Sequence, residues 1–338
     1  MYEQSDVMPL VGAHMNRNAV LVTALIAGVM GGLANANAEQ WPQRPITWIL
    51  PVPPGGAIDM SARLLQDGLA AQLGQPIVIE SRVGGATRVA AESVKRAAPD
   101  GYTFGMVGVA FVSNPSLLNQ VNYDPIKDYA HTSFIWMAPS VILVHPSQPF
   151  QSLGDLLRAA KEKPGTISYA TPGVGTSMHT AGEALKLAAK VDMSHILYRG
   201  AGPALTDAIA GHVPVAIINI ASAAPLVKEG KLRALAVTGA NRSSLLPEVP
   251  TVAESGFPGY AITEWQGLVA PAATEGSIVE RMNTAIRTVL AEKNVATRFQ
   301  EMGFEYLPLS PADFAKYVSD EQKKFAEIIR QAAIKGAN

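Results

Sequence analysis

Short apolar runs, each followed by a Gly- or Pro-rich loop and then a stretch with helical spacing, recur along most of this chain. No other feature limits the fold as much, because a strand, a helix and a second strand in succession bring the chain back in the same direction and build a parallel sheet covered by helices. The first set reads as strands at 46–50, 77–80 and 102–107 with helices at 60–73 and 88–97; Leu65, Leu69 and Leu73 share one helical face, and Gly74 stops that helix. An apolar run at 134–144 ends at His145-Pro146, where a crossing to a second unit is expected. That unit reads as helices at 153–161, 178–189, 203–210 and 223–229 with strands at 167–170, 195–198, 213–219 and 232–238. A further apolar run at 265–270 and amphipathic helices at 278–292 and 311–333 imply a second crossing and a C-terminus packed on the first unit. The expected lobes are residues 39–143 with 263–338, and residues 144–262.

The N-terminus has the grammar of an export signal. Met15-Asn16-Arg17-Asn18 opens a positive segment, residues 19–33 are apolar and uncharged, and Ala36-Asn37-Ala38 is a small-residue cleavage site. The apolar stretch is shorter, and richer in Gly and Ala, than the about 20 residues a membrane-spanning helix needs. Cleavage after Ala38 is expected, leaving a mature chain that begins at Glu39 in the periplasm. Residues 1–14 have no signal character, so either translation starts at Met15 or the lead is an extension of no structural use. The chain of 338 residues has a net charge of -1 and 16% charged residues, so nothing suggests nucleic acid. It has no cysteine, which removes disulfides, thiolate metal sites and a cysteine nucleophile.

Two glycine-bearing loops stand where such sheets bind ligands. The stretch Ile49 to Leu65, ILPVPPGGAIDMSARLL, is a strand end, a stiff Pro-Gly loop and a helix opening at Asp59. Backbone N–H groups and the positive end of a helix at that edge favour an anion. The same stretch, taken alone, also reads as a plain turn with Asp59 as its helix cap. Gly84-Gly85-Ala86-Thr87 opens at the same edge if the first two strands are parallel. In the second unit, residues 171–179, TPGVGTSMH, repeat the arrangement with Gly173, Gly175 and Thr176, so a ligand in the cleft between the units is expected. The glycine spacing fits neither a dinucleotide fingerprint nor a Walker loop. Histidines at 131, 145, 179, 195 and 212 are scattered, and no G-x-S-x-G elbow is present, so no metal, cofactor or catalytic residue is expected. Arg199 reads equally as a cleft residue or an exposed loop cation.

Taken together, Pro51-x-Pro53-Pro54-Gly55-Gly56-x-x-Asp59, Pro99-Asp100-Gly101-Tyr102-Thr103, Tyr123-Asp124-Pro125-x-Lys127-Asp128, Gly173-x-Gly175-Thr176-x-x-His179, the run from Gly230 to Thr238 and Leu246-Pro247-x-Val249-Pro250-Thr251-x-x-Glu254 resemble the Bug family. Bug, or TctC-like, proteins are the periplasmic solute-binding components of tripartite tricarboxylate transporters. The resemblance runs from about Trp41 to the C-terminus. It implies a two-lobed type II periplasmic-binding-protein fold, with two crossover strands and a ligand cleft between the lobes. By position it also implies ligand contacts from Val52, Gly55, Gly56, Ala57, Asp59, Thr171, Gly173, Gly175, Thr176, His179 and Asn219. The implied partners are a small carboxylate and the membrane subunits of a transporter; the expected state is a monomer without enzymatic activity.

Three places depart from the family pattern. Val52 stands where Phe is usual, Arg82 to Ala90 (RVGGATRVA) replaces an Asn-Arg-Pro-Gly-Ala-Gly-Gly run, and Ala273-Thr274-Glu275 replaces a Gly-Thr-Pro turn. Val in place of Phe predicts a roomier, more apolar cleft. A second carboxylate taken out of water wants a cation, and Arg88, behind the second glycine loop, is the candidate. Together these predict a dicarboxylate, with a flat aromatic one of the terephthalate type as the sharper expectation and an ordinary C4 acid or tricarboxylate as the alternative. Other classes compatible with the same cleft are an enzyme acting on a carboxylated substrate and a receptor subunit that presents ligand to a sensor.

Overall fold

The computed structural model describes residues 41–335, and the extension, export signal and cleavage site expected at 1–38 lie outside them. In the first lobe β1 (Ile46–Leu50) runs between β2 (Ile77–Ser81) and β3 (Thr103–Gly108), parallel to both. Ile46, Trp48 and Leu50 are fully buried, as a strand covered on both faces requires. Helix α1 (Ala57–Leu73) covers one face by burying Ala62, Leu65, Leu69 and Leu73, and ends at Gly74 in the left-handed conformation, φ 73°. It begins at Ala57 rather than at residue 60. Gly85–Thr87 forms a single 3-10 turn that leads into α2 (Arg88–Lys95).

The two lobes share one nine-stranded sheet, and β4 is the strand that makes it continuous. β4 (Tyr129–Val144) pairs with β9 (Thr263–Pro271) as far as Pro139; from Ser140 onward it pairs with β7 (Val215–Asn219) and β8 (Arg233–Val237). The strand order is β2-β1-β3-β9-β4-β7-β5-β6, where β5 is Ser168–Thr171 and β6 is Ser194–Leu197; β8 also pairs β4. The return crossing lies beside the outward one. Ile262 N–H donates to the Thr238 carbonyl of the second lobe, while Thr263 is already opposite Pro139. Helices α4 (Leu153–Glu162), α5 (Ser177–Ala189), α6 (Ala201–Ile209) and α7 (Ile220–Lys228) complete the second lobe.

Two helices were not legible in the pattern. Helix α3 (Val109–Leu117) has the sequence VAFVSNPSL, in which Val, Ser, Asn and Pro115 all disfavour a helix; burial of Val109, Phe111 and Val112, with Phe111 stacked 5.2 Å from Tyr123, overrides that preference. After α8 (Gly276–Ala291), the short polar α9 (Lys293–Glu301) buries little besides Val295 and Phe299. The last helix, α10 (Pro311–Gln331), packs on β4, on α3 and also on α5 of the second lobe. Its Phe314 fills the space above Gly267 of β9, where a Cβ would stand 2.1 Å from the Phe314 ring.

Candidate ligand-binding site

Both glycine loops are fastened by the same local device. In the first, Gly55 adopts φ 97° and its N–H donates to Asp59 Oδ2 at 3.0 Å, four residues ahead. Asp59 is buried in the first turn of α1, and Arg63 Nε donates to both of its oxygens at 3.0 Å. The Arg63 guanidinium holds the Asp59 carboxyl below its ordinary range against the opposing effect of burial. Asp59 is therefore a loop clamp rather than the helix cap. The cap position is Gly56, which offers no side chain to the first N–H groups of α1.

In the second loop Gly175, φ 72°, donates its N–H to His179 Nδ1 at 3.1 Å, again four residues ahead. Thr176 caps α5 by accepting from His179 N–H at 3.2 Å, and its hydroxyl donates to the Gly173 carbonyl at 2.8 Å. His179 stacks on His195 at 4.0 Å between ring centres, and His195 Nε2 meets the Thr171 hydroxyl at 2.7 Å. Burial, with His195 beside it, pushes the His179 pKa down to about 3. The ring is neutral, with Nδ1 accepting and the proton on Nε2. His179 and Asp59 do equivalent work: each spends its acceptor on a glycine N–H, so that N–H is committed to the loop.

Between the lobes lies a cavity of about 320 Å³. The first lobe contributes Val52, Pro53, Pro54 and Gly56 from the loop and Ala57 and Ile58 from the start of α1. The second contributes Met178, in the first turn of α5, and Asn219, Ile220 and Ala221 at the start of α7, where Asn219 Oδ1 accepts from Ser222 N–H at 2.9 Å. Trp136 and Ala138 of β4, Glu264 of β9 and Phe304 line the crossing itself. Trp136 and Phe304 stack face to face, 4.1 Å apart and 2° from parallel. Three helix N-termini thus meet at one mostly apolar cavity, and each brings a partial positive charge equivalent to roughly half an elementary charge.

Among the described residues lining that wall, Glu264 is the one acidic side chain. Its Oε2 accepts from the Ser177 hydroxyl at 2.8 Å, which ties β9 to the start of α5, and its Oε1 accepts from Gln266 Nε2 at 3.2 Å. Burial pushes its pKa up to about 7, more than these two hydrogen bonds pull it down.

Of the residues expected from sequence, Val52, Gly56, Ala57 and Asn219 line the cavity, whereas Gly55, Asp59, Thr171, Gly173, Gly175, Thr176 and His179 build the loops beside it. Arg88 is not brought there. Its guanidinium donates to the Gly85 carbonyl at 3.0 Å and to the Gln120 carbonyl, which holds the second glycine loop of the first lobe against the segment after α3. Among the described residues, those lining the cavity include no Lys, Arg or His. Sequence reading missed Trp136, Met178, Glu264 and Phe304. A Glu near the head of a mostly apolar strand was the available signal for Glu264, while Phe304 is brought in by a loop between two helices and left no local pattern.

Residues 61–334 match the family described as "Tripartite tricarboxylate transporter family receptor". The chain belongs to the TctC family. TctC proteins are periplasmic solute-binding proteins, and this one has their two-lobed type II architecture. BugT of Bordetella pertussis is 30% identical over 95% of this chain and 99% of its own. Among solved structures, a protein of R. palustris with adipate is 32% identical, with TM-score 0.76 over 88% of this chain and 100% of that one. MatC from Rhodopseudomonas palustris with bound malate is 29% identical, with TM-score 0.72 over 86% of this chain and 100% of that one. No helix among the described residues is long and apolar enough to cross a membrane.

Proposed function

We propose that this TctC protein captures a small dicarboxylate between its lobes and hands it, unchanged, to the membrane subunits of a tripartite tricarboxylate transporter. The observation that carries the reading is the convergence of three helix N-termini on one apolar cavity between the lobes. An anionic end of the ligand lies against those N-termini, chiefly the uncapped start of α1 at Gly56 and Ala57. The adipate- and malate-bound relatives support a dicarboxylate, since both of those ligands carry two carboxyl groups. Val52 and the Trp136–Phe304 stack leave a flat apolar wall, which favours an aromatic dicarboxylate of the terephthalate type over succinate or citrate.

The lobes divide as residues 39–143 with 263–338 and residues 144–262, and they hinge where the two crossings run side by side near Pro139 and Thr263. Export with cleavage after Ala38 delivers a monomeric mature chain to the periplasm. Calorimetry with terephthalate, adipate, succinate and citrate tests the reading: one ligand per chain is expected, with terephthalate the tightest, the ligand recovered intact and a smaller radius of gyration on saturation. Binding of none of the four, or turnover of any, overturns it. Succinate or citrate binding tightest overturns the aromatic part alone.

A further inference from the structure

We propose that Glu264 makes the cavity accept one net negative charge, so that a dicarboxylate binds together with one proton, shared between its far carboxyl and Glu264. The proposal rests on the carboxylate reading above and specifies what meets the second end of the ligand. A dianion brought between the lobes finds helix N-termini for one end, but among the described residues lining the cavity no cation for the other. What stands there instead is a carboxyl group. Two carboxylates at contact in a water-poor site cannot both remain ionised, and a shared proton turns their repulsion into a hydrogen bond.

The surroundings of Glu264 suit the protonated form. Ser177 and Gln266 go on donating to Oε2 and Oε1, and each of these oxygens keeps a lone pair, so the shared proton can lie between Glu264 and the ligand carboxyl without breaking either bond. The other ionisable groups packed nearby do not supply a cation. Glu321 of α10 adds negative charge and is itself paired with Lys324, and Tyr317 of the same helix is held neutral by burial. Burial already places the Glu264 pKa near 7, so uptake of the proton is cheap at neutral pH and grows more demanding above it.

The proposal is tested by calorimetry of adipate and terephthalate, each beside its monoamide, from pH 5.5 to 8.5 in buffers of different ionisation enthalpy. For the dianions, proton uptake should rise from near zero at the acid end toward one at the alkaline end, and the Kd should weaken about tenfold per pH unit above the Glu264 midpoint. The monoamides carry a single charge and an N–H donor for ionised Glu264, and should bind with no such loss. Glu264→Gln should flatten the dianion profile. Ser177→Ala, which removes a bond that favours the ionised form, should move the midpoint to higher pH, a shift that a merely structural serine would not produce. Dianion affinity that is flat with pH and free of proton uptake overturns this inference and leaves the carboxylate reading standing; failure of all four probes to bind at any pH overturns both.

Discussion

Replacing Gly175 by Ala separates the loop's own strain from the contact between lobes. A Cβ built on Gly175 lies 2.4 Å from Cδ1 of Leu117, the last residue of α3 in the first lobe, and the backbone there has φ 72°. The left-handed conformation costs an L-residue about 1 kcal/mol relative to Gly, and that cost is present whether the lobes are open or closed. The steric conflict is different. Leu117 is half-buried and can turn its terminal methyl aside at about 1 kcal/mol for an off-rotamer side chain, and this cost falls only on the state in which the lobes touch. Gly175→Ala should therefore lower the Tm by roughly 1–2 °C, the shift expected of about 1 kcal/mol in a chain of about 300 residues with an unfolding entropy of about 2.1 cal/mol/K per residue. The same amount on the closed state should weaken adipate about fivefold, since each 1.4 kcal/mol is a factor of ten. Adding Leu117→Ala should restore the affinity without restoring the Tm, as read by calorimetry and thermal melts on both variants. A double variant that binds as weakly as the single one would refute the assignment of the clash to lobe closure.

His179→Ala leaves the Gly175 N–H without its acceptor and removes the stack on His195; urea denaturation should register about 1–3 kcal/mol of lost stability, and an unchanged midpoint would contradict the clamp. Gly267→Ala drives a methyl into the Phe314 ring, so α10 must lift from the sheet; a loss of about 3 kcal/mol in denaturant is expected, and a neutral effect would mean that the helix docks otherwise. In the ligand-free protein, a folded Glu264 pKa near 7 lies above that of the unfolded chain, so its contribution to stability is fully present in acid and is lost as pH rises through 7. The Tm should accordingly fall less between pH 5 and 8 in Glu264→Gln than in wild type, and parallel curves would show that Glu264 ionises freely. Asp59 has the opposite sign: its lowered pKa gives stability that is present above about pH 4 and fades below it, so Asp59→Asn should cost more at pH 7 than at pH 3.

The amino-acid sequence by itself determined the α/β alternation, the parallel character of the sheet in the first lobe, and the position of both glycine loops, because those follow from the period of apolar residues and from where Gly and Pro interrupt it, whereas the placing of β1 between β2 and β3 came from the structure. The resemblance to Bug proteins added Val52, Gly56, Ala57 and Asn219 by position, and these four line the cavity. Tertiary structure alone decided the rest. Asp59 and His179 look like ligand contacts in sequence, yet each turns back on a glycine N–H of its own loop, a choice set by loop geometry that spacing does not encode. Arg88 looks like the cation for a second carboxylate, yet two backbone carbonyls claim it, one of them 32 residues away in sequence. Glu264 reads as the polar edge of an apolar strand until β9 carries it to the crossing, where Ser177 of the other lobe meets it. Whether a charged side chain faces water, a carbonyl or a ligand depends on what distant segments bring to it, and desolvation at that meeting point sets its protonation.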